Sequence, residues 1–158
     1  MAGRIIPMIA SDLKRAPRKT IAFTGAANLG QAGTAVTVWT ITGRVQVLFF
    51  PVPFVTEALV STVNLGTISL GITNTVGGYI PAATVGAGSF AVNDWWNSVS
   101  SFIPGYGAEF AVSADTINQY APISENIIIN CLTQDITAGT LQFDGVWYRP
   151  LTADGALT

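Results

Sequence analysis

The sequence predicts an all-β protein: a single β-sandwich or jelly-roll-like domain over residues 20–158, preceded by an extended basic N-terminal arm over residues 1–19. Three observations point there. The chain holds 18 threonines among many valines and isoleucines, β-branched side chains that fit a pleated, half-buried surface better than a helix. Its apolar runs are short and are punctuated by Gly, Pro, Asn and Asp at spacings of roughly 8–12 residues, the habit of sandwiches and barrels. Hydrophobic residues make up 49% of 158 positions, which leaves too much apolar surface for a disordered chain and enough for one core.

Taken in order, the arm carries Arg4, Lys14, Arg15, Arg18 and Lys19 together with apolar Ile5, Ile6, Met8, Ile9 and Leu13 and two prolines, a composition suited to lying along another surface. Strands are expected at 20–24, 34–42, 44–52, 58–65, 67–73, 110–113, 126–133 and 140–149. The glycine-rich stretch from Gly25 to Gly33 has no helix pattern or Lys-Ser/Thr after it, so it reads as a strand-to-strand connection, not a phosphate loop. Thr42-Gly43 and Gly66 read as turns. The run 45–55 is apolar on both parities, as in a strand covered on both sides or one whose outer face meets a subunit. Residues 77–107 hold six glycines, two prolines and the pair Trp95-Trp96, with no lasting period. They read as a long excursion, with a short strand near 89–92, and a loop of that length is usually functional or interfacial. In the last strand Leu141, Phe143 and Trp147 alternate with Thr140, Gln142 and Asp144, so one face is core. Cys131 shares parity with Ile127 and Ile129 and reads as a small core hydrophobe, with no disulfide partner in the chain.

Charge is sparse and uneven. Sixteen residues are charged, well below the share that usually keeps a solitary domain dispersed, so other protein is expected to shelter the surface. The first 19 residues hold five bases and one acid, and the remaining 139 hold two bases and eight acids. A basic arm on an acidic body suggests docking on an oppositely charged partner. Nucleic acid is disfavoured, because no aromatic residue is interleaved with the arm's bases. No secretory signal is read at the start, and no apolar run approaches the roughly 20 residues that span a bilayer, so no membrane partner is expected.

The chemistry is mostly absent. With no histidine, the commonest general base, the nucleophile–His dyads and most transition-metal sites are missing. No enzyme activity, metal or cofactor is expected. Glu57, Asp94, Glu109, Asp115 and Glu125 could in principle pair for glycoside hydrolysis, but none is paired locally. The most site-like cluster is Asp94-Trp95-Trp96-Asn97, read first as an interface or core anchor and second as a sugar platform. Arg44 and Arg149 read as partners of surface acids.

The stretch Phe23-Thr24-Gly25-Ala26-Ala27-Asn28-Leu29-Gly30, then Gly33-Thr34 and Thr40-Ile41-Thr42-Gly43-Arg44-Val45, resembles small virion structural proteins of tailed bacteriophages. Ser124-Glu125-Asn126-Ile127-Ile128, Asp135-Ile136-Thr137-Ala138-Gly139-Thr140 and the stretch from Trp147 to Gly155 carry the same likeness. It spans residues 23–155, with departures concentrated in 51–122. The resemblance implies an all-β capsid decoration or cement protein, or a tail or fibre component with a receptor- or carbohydrate-binding surface. The lack of catalytic apparatus and the basic arm favour the first. On that expectation the protein forms a homo-oligomer, a trimer, on the phage head and is assembled in the host cytoplasm. Arg4, Ile5, Ile6, Ile9, Leu13, Lys14, Arg15, Arg18 and Lys19 grip the major capsid protein, and Phe49, Phe50, Phe54, Trp95 and Trp96 form the subunit interface.

Overall fold

The computed structural model describes residues 13–48, 52–86, 89–96, 103–104 and 122–158. These residues form antiparallel sheets around one hydrophobic core, in keeping with an all-β, sandwich-like domain. One sheet has the order β1 (Lys14–Arg15), β14 (Trp147–Pro150), β5 (Val45–Val47), β11 (Pro122–Ile123). A second runs β10 (Ile103–Pro104), β9 (Asp94–Trp95), β6 (Pro53–Ser61), β13 (Ile136–Phe143), β2 (Lys19–Ala22). A third runs β3 (Ala35–Trp39), β12 (Ile127–Leu132), β7 (Gly66–Ile72), β8 (Thr75–Val85), and β15 (Ala156–Leu157) pairs with β4 (Ile41–Thr42).

The core follows from the strand pattern. Strand β12 lies between β3 and β7, and Ile127, Ile128, Ile129 and Cys131 are all buried, as a strand covered on both faces requires. Trp39 is fully buried, meets Phe143 edge-on with centroids 5.5 Å apart, and donates its Nε1–H to the Pro17 carbonyl at 3.0 Å. That geometry suits an aromatic pair and leaves the indole N–H satisfied.

Several boundaries differ from the sequence reading, each for a backbone reason. The run 45–55 contributes to two strands, not one: β5 ends at Val47, and β6 begins at Pro53. Residues 58–65 do not form one strand, because β6 closes in a 3-10 turn at Thr62–Asn64. The stretch 140–149 is split as well. Residues 144–146 separate β13 from β14 and reset the parity, so Leu141 and Phe143 point inward while Trp147 stands exposed and Tyr148 takes the buried place. The first part of the expected excursion is ordered strand: β8 pairs along β7, from Thr75 opposite Ile72 to Val85 opposite Gly66. Its register is irregular, and its glycines and proline hid the period that periodicity analysis seeks. The short strand expected near 89–92 falls at β9 instead, and the strand expected at 110–113 lies outside the described residues.

The stretch from Gly25 to Gly33 does connect strands, linking β2 to β3 through a tight turn in which Leu29 N–H donates to the Ala26 carbonyl at 2.9 Å. Gly30 sits at φ +120°, and a Cβ there would press on the Ile136 carbonyl, so only glycine fits.

Candidate interaction surface

The basic segment is built into the body. Lys14 and Arg15 pair in register with Tyr148 and Trp147, and Ala16 N–H donates to the Val146 carbonyl at 2.9 Å. Ala16 is 3% exposed, and it lies so close to Gly145 that a Cβ on that glycine would strike the Ala16 carbonyl. Within the arm expected over residues 1–19, Lys14–Arg15 form β1 and Lys19 opens β2, so sheet pairing begins before residue 20. Charge and proline content describe side chains, whereas β-pairing is a backbone interaction, so composition could not place this boundary.

The cations of this strap face water. Lys14 and Arg15 are exposed, Lys19 and Leu13 half-buried. Arg15 Nε–H donates to the Gly145 carbonyl at 3.3 Å, and Arg18 pairs with Asp144 at 2.9 Å. Both partners of that pair are largely exposed, so it steers side chains more than it stabilises. An open cleft of about 250 Å³ lies between Arg15, Ala16, Arg18 and Gly145. Register also sets exposed Trp147 opposite Arg15, on the same face of the ribbon. This pairing of an aromatic with the bases was invisible locally, because 132 positions separate Arg15 from Trp147.

Of the remaining residues expected to grip a partner, Arg4, Ile5, Ile6 and Ile9 lie outside the described residues, as do Phe49 and Phe50 of the expected interface. The tryptophan pair divides. Trp95 is 38% exposed, and its ring lies 4.9 Å from that of half-buried Phe54, its cross-strand partner. Trp96 is 1% exposed and packs edge-on against Phe90 at 5.4 Å, so it is a core residue and gives no surface to a neighbour. Successive residues on a strand face opposite ways, which is why the two part company.

The carboxylates are held in local structure. Asp94 is buried and its Oδ2 accepts the Ala91 N–H at 2.8 Å. Glu57 accepts from the Thr140 hydroxyl at 2.6 Å. Glu125 takes both the backbone N–H and the side-chain amide of Asn74, at 2.7 and 2.6 Å. Glu109 and Asp115 lie outside the described residues. Among the described residues no three acidic, Cys or His side chains gather into a metal site, and no helix is long and apolar enough to cross a membrane. Arg44 and Arg149 form no ion pair among the described residues; Arg44 is fixed through its backbone, its N–H donating to Thr152 Oγ1 at 2.9 Å. Burial pushes the Cys131 thiol up to about 12, aided by the nearby Asp135 carboxylate, so at neutral pH it is a protonated core group.

Comparison with protein-family models, with curated proteins and with solved structures gave no match.

Proposed function

We propose that the protein is a non-enzymatic virion structural protein of a tailed phage, a decoration or cement protein that stabilises the head shell by bridging major capsid subunits as a trimer. The observation that carries this reading is the basic strap, where exposed Lys14, Arg15 and Arg18 sit on a backbone hydrogen-bonded to the body, Arg15 on the same face as exposed Trp147. Cations on a fixed edge lose little conformational freedom on docking, which favours a broad acidic partner surface. Modest contacts then suffice, because copies linked in one assembly reinforce each other.

The test is co-sedimentation of the full chain with undecorated phage shells. Binding is expected in amounts comparable with the major capsid protein, weakening as salt rises and falling sharply in Lys14→Glu. Binding indifferent to both salt and that substitution overturns the reading. A few copies per particle, confined to tails, would favour the second reading, a tail or fibre component with a carbohydrate-binding surface. The half-open Trp95 ring backed by Phe54 is the observation that favours that alternative.

A further inference from the structure

Eight large hydrophobic side chains stand exposed among the described residues, and four of them, Leu29, Val60, Val63 and Leu65, lie on segments that meet residues 133–138 at the start of β13. Hydrogen bonds tie the loops there together. Ile136 N–H donates to the Gly30 carbonyl at 2.8 Å, Thr62 N–H to the Asp135 carbonyl at 3.1 Å, and Thr133 Oγ1–H to the Leu65 carbonyl at 2.6 Å. The backbone is strained at the same place: Asn28, Val63 and Thr133 lie at φ +60°, +53° and +57°. A β-branched residue in that region is an outlier, and Val63 spends the strain on holding an apolar side chain 69% exposed. The loops 24–34, 62–65 and 133–135 hold one charged residue, Asp135.

The course of the chain indicates the occupant. Strand β13 leads away from this tip, from Ile136 to Phe143, and Gly145 just beyond it meets Ala16. The described chain thus begins, at Leu13, at the end remote from the tip, about 26 Å away by the rise of an eight-residue strand. Residues 5–9 lie four to eight positions before Leu13, so fully extended chain carries them only roughly 13–28 Å from it, and most of the run falls short of this copy's own tip. They form an uncharged apolar run, Ile5-Ile6-Pro7-Met8-Ile9, next to Arg4. An apolar tip at one end and an apolar leader rooted at the other are the two halves of a head-to-tail contact, which closes into a ring when the rotation allows.

We propose that residues 5–9 of one copy seat on the tip formed by Leu29, Val60, Val63 and Leu65 of a second copy, with Arg4 near Asp135. The inference does not depend on a shell and concerns association of the chain with itself.

The experiment uses the full chain. Copies carrying Ile6→Cys are mixed with copies carrying Val63→Cys and oxidised; Cys131 is buried and stays out of the reaction. A disulfide between the two kinds of copy is expected. In sedimentation, Val63→Asn is expected to weaken association about tenfold while leaving the melting temperature unchanged or higher, because Asn accepts the left-handed conformation that strains Val. Four results would overturn the proposal. They are a monomer at all concentrations, Val63→Cys copies linking only to one another, a doubly substituted chain closing on itself in the monomer, or Val63→Asn associating as tightly as the parent.

Discussion

At the residue scale, buried groups set how the fold responds to pH. Burial raises the Tyr79 hydroxyl from 10.0 to about 12, and the Cys131 thiol from 9.0 to about 12. Both are neutral in the folded protein below those values, so their contribution is intact below pH 9 and is lost as the pH climbs from about 9 to about 12, where the unfolded chain releases its protons first. The urea midpoint is therefore expected to hold steady up to about pH 9 and then fall, with a shallower fall in Cys131→Ala; a midpoint flat to pH 12 contradicts this. A thiol reagent should leave the native protein unlabelled at neutral pH and label it once denatured. Gly139 offers a steric check. It lies at φ +107°, and a Cβ would come 2.5 Å from the Ala58 carbonyl oxygen and 2.6 Å from the Leu59 Cα. Gly139→Ala is expected to cost about 3 kcal/mol by chemical denaturation, the sum of backbone strain and overpacking.

At the scale of elements, the strap β1 depends on a close approach that one glycine permits. In Gly145→Val the new side chain collides with the Ala16 carbonyl, and β1 must leave β14 or the connection must shift. We expect a loss of about 2 kcal/mol and faster amide exchange at Ala16 and at Leu48, whose N–H donates to the Trp147 carbonyl at 2.9 Å, while amides of β12 stay protected. Amides of β12 that exchange as fast as those of the strap would show the two parts to be one cooperative unit. The same connection explains the misread final strand: alternation holds from Leu141 to Asp144, although Thr140 is buried as well, but residues 144–146 interrupt the pleat, and Trp147 emerges outward where parity placed it inward. A strand's face is fixed by the count of residues in its turns, and that count is not visible in hydropathy.

At the scale of the whole molecule, the leader and the strap should separate under truncation. Removal of residues 1–12 is expected to leave the melting temperature within a few degrees of the parent, to abolish self-association and, because the strap is kept, to weaken shell binding only by the reinforcement that linked copies supply. Removal of residues 1–19 also deletes β1, buried Ala16 and the Pro17 carbonyl that accepts the Trp39 N–H, so it should lower stability by about 2–4 kcal/mol. Equal melting temperatures for the two truncations would mean that the strap contributes nothing to the fold. Equal shell binding by the parent and the shorter deletion would remove the leader from the proposed mechanism.

The sequence by itself determined the class of architecture. Abundant β-branched residues, short apolar runs and regularly spaced turn formers leave little choice but antiparallel sheets around one core, and the parity shared with Ile127 and Ile129 placed Cys131 in that core. Tertiary structure alone decided which surfaces exist. Register set Trp147 opposite Arg15 and turned Trp95 outward and Trp96 inward, and hydrogen bonds from residues 135–136 hold Gly30 and Thr62, 32 positions apart in the chain. Local pattern records whether a side chain prefers water. Which groups become neighbours depends on strand pairing, and pairing is a property of backbones brought together from distant parts of the chain.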